Sequence, residues 1–469
     1  MNTSQTLASL RQELIAANLS EYADMKEALT WVADDSAHRA EITRGELLAA
    51  FGDRISWLFS QTKPAWGPIS PGCMACGNGG WSCLFINGKC NCRCFYCPTS
   101  QDEISVPTTN RLPFSREKDY GDYVNHFDFQ GVSISGGEPL LTADKTIRFI
   151  DHVRRNSDDS RHLWMYTNGT LLDENTVLRL KDAGLNEIRF DISAKDYDLS
   201  RLRLAVGHIP IVTVEIPAIP EDRERLSALL TELHEAGVNH LNLHQLRLTP
   251  HNSRFLSKRG YTFLHGEKVT VLESELTALA ILRECAEQSL PLPVNYCSFT
   301  YKNQFQRAAS RKRNARWIMK PVDAVTESGL IRTMTLDGPP AVMAANARTL
   351  SARYPDNSLW QAGGGTSAIT VHPDLWPLLD KTGCSLTLTY AEAILSPALS
   401  YHHPFAEIRL PSGMKIYAEK RARKRLTLEG PEIDAFERRV LSKQLPAGPD
   451  ADAAWVFSEF ITPGLQSYF

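Results

Sequence analysis

Seven cysteines fall between residues 73 and 97, and their spacing divides them into two sets. Cys90, Cys94 and Cys97 follow C-x3-C-x2-C, with Tyr96 just before the last thiol and Pro98 just after it. Gaps of three and two residues let a short loop wrap three corners of a [4Fe–4S] cubane, which takes four ligands. The fourth iron is left open, and an iron with an open position can chelate and activate a small molecule. Cys73, Cys76, Cys83 and Cys92 remain, in the pattern C-x2-C-x6-C-x8-C, enough for one tetrahedral site of iron or zinc.

Downstream, Gly131-Val132-Ser133-Ile134-Ser135-Gly136-Gly137-Glu138-Pro139 reads as a short β-branched strand ending in two glycines and a carboxylate. Two glycines let the backbone approach a ligand with no Cβ in the way. Glu138 is placed to meet an ammonium group.

The elements that must hold these residues alternate. Strands are expected at Trp81 to Asn87, Leu163 to Thr167, Asn186 to Ile192, Pro210 to Ile216, His240 to Gln245 and Leu292 to Tyr296. Helices are expected at Lys145 to Arg155, Leu171 to Ala183, Asp222 to Ala236 and Leu272 to Gln288. Alternation of this kind predicts parallel pairing through right-handed crossovers, and so an α/β partial (β/α)6 TIM-like barrel over residues 81–325. Chemistry belongs at the carboxyl ends of its strands, which makes Thr167, Asn168, Asp191, Ser193, Glu215 and Gln245 site candidates. Asn295, Tyr296 and Cys297, with Ser298, Tyr301 and Lys302, give the last strand a polar, aromatic end.

The three-cysteine loop followed by Gly-Gly-Glu-Pro resembles the radical S-adenosylmethionine (SAM) superfamily. That resemblance implies that the open iron chelates the methionine moiety of SAM and that Gly136, Gly137, Glu138 and Pro139 hold its amino group. It also implies that Tyr96, Asp191 and Ser193 belong to the cofactor-binding set. The interleaved Cys73, Cys76, Cys83 and Cys92 are similar to the cobalamin-dependent radical SAM arginine C-methyltransferases acting on methyl-coenzyme M reductase, a methanogenesis-marker family. There the four extra cysteines hold a mononuclear iron, and a domain after the barrel binds cobalamin. The implied activity is reductive cleavage of SAM to a 5′-deoxyadenosyl radical and C-methylation of a protein or peptide residue, fed by a ferredoxin- or flavodoxin-like donor. A cobalamin-free radical SAM enzyme (activase-like, peptide-modifying or RNA-modifying) is the second reading, and a non-catalytic iron or zinc protein the third. The common D-x-H-x-x-G cobalamin signature is absent. The family's tyrosine at the open iron has Tyr120 and Tyr123 as its nearest counterparts.

The chain has 469 residues, more than one ordinary core requires. Residues 1–60 read as a helical leader, 61–100 as a cysteine-rich metal loop, and 326–469 as a C-terminal α+β domain. In that domain a helix is expected from Pro339 to Arg353, and strands at Gln361 to Thr370, Ser385 to Tyr390, Glu407 to Leu410 and Met414 to Ala418. Adjacent His402 and His403 would point apart on a strand, and Gly363-Gly364-Gly365 reads as a turn. A formal net charge of −3 argues against general nucleic-acid or membrane binding. The basic runs Arg311-Lys312-Arg313 with Arg316 and Lys420 to Arg425 read as solvated faces, with an anionic partner (a cofactor phosphate, an acidic protein surface or RNA) as the alternative. Ten cysteines, seven of them clustered at metal spacing, with no signal peptide legible, predict a reducing cytoplasm, with Cys285 and Cys384 as buried small hydrophobes.

Overall fold

The computed structural model describes residues 7–157, 160–363, 367–442 and 453–469. The chain divides into two compact units: Leu10–Gln306 with Leu410–Met414 and Pro463–Phe469, and Met1–Ser9 with Arg307–Arg409 and Lys415–Thr462. The second unit thus begins nearly twenty residues before the expected boundary.

The first unit is the expected barrel. After strand β1 (Lys63–Trp66), seven parallel strands follow: β2 (Trp81–Phe85), β3 (Gly131–Ser135), β4 (His162–Thr167), β5 (Glu187–Phe190), β6 (Ile211–Pro217), β7 (His240–His244) and β8 (Val294–Cys297). Six crossovers join the seven, so six β/α units and a closing strand are present. β1 pairs antiparallel with β8 and covers its outer edge.

Alternation decides which side chains face the lumen. Val132, Ile134, Ile188, Val212, Val214, Leu241 and Leu243 are buried on the outer face. Register puts Cys83 beside Ser133, Tyr166 beside Arg189, and Asn242 beside Asn295, all on the inner face. The lumen is accordingly polar.

Helices α1 (Leu7–Glu21) and α2 (Asp34–Ala49) make up the leader. The short α3 (Pro71–Gly77) lies against the inner face. A Cβ on Gly72 would stand 2.4 Å from Arg189 Nη2 and 2.8 Å from Glu187 Oε2, which is why glycine is required there. The crossover helices are α4 (Glu117–His126), α5 (Ala143–Arg155), α6 (Glu174–Asp182), α7 (Ser200–Ala205), α8 (Arg223–Glu235) and α9 (Leu272–Gln288). α5 shows how they are specified: Phe149, Ile150 and Val153 share the buried face, and His152, Arg154 and Arg155 crowd the last turn, where the helix dipole favours cations. α4 was not anticipated. Gly121 weakens its helical pattern, yet a Cβ there would meet His152 Cδ2 of α5 at 2.8 Å, so the glycine serves helix packing.

The second unit is α+β. Helix α10 (Pro340–Arg353) accompanies an antiparallel sheet of β9 (Ile331–Asp337), β10 (Trp360–Ala362), β11 (Ala368–Val371), β12 (Ser385–Ser396), β13 (Phe405–Arg409) and β14 (Lys415–Glu429). Met343, Leu336, Trp376, Leu386 and Leu388 lie in its core. The strand expected at Gln361 to Thr370 is two strands, and Gly364 and Gly365 lie outside the described residues. β14 runs on through the whole basic run. Lys420 pairs with Asp323 at 2.8 Å, Arg421 with Glu419 at 2.7 Å and Arg423 with Glu392 at 3.2 Å, so much of that run is structural rather than a free solvated face. Cys285 and Cys384 are buried, as expected. Among the described residues no helix is long and apolar enough to cross a membrane.

Candidate active site

The loop after β2 carries Cys90, Cys94 and Cys97, and all three line one cleft of about 190 Å3 at the carboxyl ends of the strands. Gly136 and Gly137 line the same cleft. These glycines serve the loop as well as the cleft. Gly137 N–H donates to Asn87 O at 2.9 Å and Glu138 N–H to Lys89 O at 2.7 Å. A Cβ on Gly136 would lie 2.3 Å from Asn87 O, and one on Gly137 2.0 Å from Lys89 O. Gly136 also has φ +141°, a conformation few other residues adopt. The buried Asn87 side chain adds a hydrogen bond to Glu138 O at 3.1 Å.

Glu138 does not present its carboxylate to the cleft. It is fully buried and accepts from Thr167 Oγ1 at 2.8 Å, Asn168 N at 2.8 Å and Leu140 N at 3.0 Å. Burial pushes it up to about 7, with those three donors pulling the other way. Where an ammonium contact was expected, Glu138 instead ties the end of β3 to the end of β4. Pro139 is buried and opens the short turn that follows, and Thr167 is buried behind Glu138. Asn168 faces the cleft, donating to Asn91 Oδ1 at 2.9 Å and reaching Cys90 Sγ at 3.6 Å. Hydrogen bonds from Cys92 and Asn168 draw Cys90 down to about 6 against the push of burial, whereas burial raises Cys94 to about 11 and Cys97 to about 12.

Tyr96 turns inward. Its hydroxyl meets Asp191 Oδ2 at 2.9 Å and Ser193 Oγ at 2.7 Å, while Ser193 donates to Asp191 Oδ1 at 2.6 Å. Burial raises Asp191 above its ordinary value, and these hydroxyls oppose it. Asp191 lines the cleft.

Residues not anticipated from sequence complete the floor: Arg189, Tyr166, His244, Ser135, Ala194 and Gln101. Arg189 is 3% exposed and binds Glu187 at 2.8 Å, Glu215 at 2.7 Å and Ser70 Oγ at 3.0 Å. Burial would raise Glu215, but Arg189 and Asn242 hold it below its ordinary value. Burial, with Lys302 nearby, depresses His244 to about 3. Glu187-Ile188-Arg189-Phe190 alternates charge with apolar bulk, and that alternation was the available signal for an inward-facing ion pair.

The remaining predicted residues scatter. Gln245 is buried and donates to Val271 O at 3.2 Å, outside the cleft. Tyr296 points outward to Glu275 at 2.8 Å, while Asn295 and Cys297 face inward. Tyr120 and Tyr123 are fully buried on α4, and the tyrosine on the cleft floor is Tyr166. The expected grouping of Cys73, Cys76, Cys83 and Cys92 is not assembled. Cys92 stays on the cluster loop beside Cys90, Cys83 sits on β2 facing Ser133, and α3 carries Cys73 and Cys76 towards Asn242 and Tyr301. Among the described residues no three His, Cys, Asp or Glu side chains stand at single-ion spacing. For Cys90, Cys94 and Cys97 that is no obstacle, because a cubane takes one thiolate per iron corner.

A family description, the radical SAM superfamily, matches residues 84–208. The chain is 30% identical over 275 residues to a provisionally named glycyl-radical enzyme activating enzyme of Methanocaldococcus jannaschii, covering 56% of this chain and 72% of that protein. It is 30% identical over 122 residues to GTP 3′,8-cyclase of Staphylococcus carnosus, covering 25% of this chain and 34% of the cyclase. Among solved structures, Streptococcus suis SuiB overlaps 63% of this chain and 62% of its own at 12% identity, with a TM-score of 0.35. The radical SAM methyltransferase TsrM of Kitasatospora setae overlaps 40% of this chain and 41% of its own at 14% identity, with a TM-score of 0.30. Both overlaps are loose.

Proposed function

This chain belongs to the radical SAM superfamily, and from that premise we propose that it cleaves SAM reductively and uses the radical to modify a protein or peptide. The observation that carries the reading is the convergence of Cys90, Cys94 and Cys97 on one cleft with the Gly136–Gly137 backbone and Asp191. These thiols suit a [4Fe–4S] cluster with one open iron. When bound, the cluster supplies the electron that breaks the SAM sulfonium into methionine and a 5′-deoxyadenosyl radical. The chain's own residues do the positioning. The Gly136–Gly137 backbone offers polar groups to the methionine end, and the Asp191–Ser193–Tyr96 group offers acceptors to hydroxyls or an ammonium. Arg189, Glu215 and Tyr166 form a fixed polar floor whose dipoles need not reorganise. A low-potential ferredoxin- or flavodoxin-like donor is required. A protein substrate is supported by the name of the relative that this chain matches over most of its length.

Cobalamin-dependent C-methylation is the fuller form of this reading. Its support is a cavity of about 630 Å3 within the second unit, a size typical of small-molecule sites. Trp317, Met319 and Phe405 give it apolar walls, and His403, Gln361 and Thr333 give it polar groups, a chemistry that fits a corrinoid edge. His403 is in an irregular segment, not on a strand, and its neighbour His402 is not among the lining residues.

The deciding experiment is anaerobic purification from cells supplied with cobalamin, with iron and cobalt analysis and assay of 5′-deoxyadenosine. Cobalt near one per chain supports methylation. Iron and SAM cleavage without cobalt leave the activase-like reading, and failure to cleave SAM overturns both.

A further inference from the structure

Asn168 follows β4 directly, and its side chain is held in one orientation. Thr170 N–H donates to Asn168 Oδ1 at 3.0 Å, and Thr170 Oγ1 donates to the same oxygen at 2.7 Å. A backbone N–H can only donate, so the side-chain oxygen faces Thr170 and the amide nitrogen is turned the other way. There it meets Asn91 Oδ1 at 2.9 Å and Cys90 Sγ at 3.6 Å. Asn91 Nδ2 closes the ring by donating to Thr170 Oγ1 at 2.6 Å. Each side chain fixes the next, and the two amide protons of Asn168 are directed at one oxygen and one sulfur.

Cys90 receives a second N–H donor, from the backbone of Cys92 at 3.3 Å. Its own reach towards an acceptor, Asn91 Oδ1, is 4.0 Å, and a ligating sulfur gives that thiol proton up. The amide donors remain. Hydrogen bonds to the sulfurs of an iron–sulfur cluster are among the settings of its potential. The reduced form carries more negative charge on sulfur, so an N–H donor stabilises it more than the oxidised form.

We propose that Asn168 is a positioning residue for electron transfer: acting through Cys90, its amide raises the reduction potential of the cluster and makes it easier to load. This rests on the [4Fe–4S] reading above. One electron passes from the ferredoxin- or flavodoxin-like donor, and no bond forms or breaks in that step. Because Asn91 neighbours Cys90 in the chain, the ring makes the amide follow the sulfur it serves.

The test is a redox titration of the full-length chain, reconstituted anaerobically and kept free of SAM so that substrate contacts play no part. Asn168→Asp has the same shape and still accepts from Thr170, but presents oxygen to the sulfur in place of N–H. At one fixed viologen potential its ratio of reduced to oxidised cluster, read by electron paramagnetic resonance, should fall about tenfold, or about 59 mV for one electron. Asn168→Ala should fall in the same direction by a smaller factor. Equal potentials in all three proteins, or a shift in Asn168→Asp alone, overturn the proposal. A wild type with no iron–sulfur spectrum overturns the SAM reading, and this inference with it. Should neither variant hold iron, asparagine isotopically labelled at its side-chain nitrogen decides in the wild type. A nitrogen coupling to the reduced cluster is then expected in pulsed resonance, and its absence overturns the assignment.

Discussion

The Tyr96 hydroxyl lies 2.9 Å from Asp191 Oδ2, so a single phenol joins the cluster loop to the end of β5. Removing it leaves the three thiols untouched but frees the loop from the cleft wall. Tyr96→Phe should keep its iron and bind SAM about tenfold more weakly, the worth of one hydrogen bond to a charged group. Iron analysis beside SAM titration checks this, and unchanged affinity would show that the phenol positions nothing.

Glu138 holds two backbone N–H groups and one hydroxyl in a fully buried place. Glu138→Ala strands the Leu140 and Asn168 amides. We expect a loss of about 2–4 kcal/mol in urea unfolding, with SAM cleavage reduced because the ends of β3 and β4 separate. A variant that cleaves SAM poorly at full stability would show instead that the carboxylate acts on the substrate.

Gly137→Ala places a methyl 2.0 Å from Lys89 O, against backbone rather than a yielding side chain. The loop must retreat, taking Cys90 with it. Iron per chain after anaerobic reconstitution should fall well below that of the wild type while far-UV circular dichroism is retained. Full reconstitution would show that the loop has slack that these contacts conceal.

Glu187 lies buried between Arg189 at 2.8 Å and His162 at 2.8 Å. Burial alone would raise it, but Arg189 and His162 hold it down to about 2. A depressed carboxylate contributes stability in full above its unfolded value near 4.5 and loses it as pH falls towards 2. Glu187→Gln should therefore cost on the order of 3 kcal/mol at pH 7, with the gap from wild type closing below pH 4.5. Equal penalties at pH 7 and pH 3 would remove the ion pair as the cause.

Features encoded within a few residues were legible in the sequence. The cysteine loop, the glycine pair and Asn168 and Asp191 all follow from local spacing and from where strands end. Residues whose role depends on non-local neighbours were not. Arg189 and His244 become floor residues only once the parallel order of the strands fixes which side chains share the lumen. Lys63 pairs with Cys297 only because β1 runs antiparallel to β8. The four thiols stand apart for the same reason, since α3 turns Cys73 and Cys76 into the lumen while Cys92 remains on the loop. In the second unit turn signals located strands, but β14 outran its expected end because strand pairing with β12 overrode the low β-propensity of lysine and arginine.

The partnership of Lys63 with Cys297 spans 234 positions of chain. Bringing the ends of so long a loop together costs on the order of 5 kcal/mol in chain entropy, before any contact at the junction repays it. The edge seam between β1 and β8 should therefore form last, and it is the first place the sheet should open under denaturant. Slow amide exchange through β3 to β6, with early exchange along that seam, is the footprint such a closure leaves.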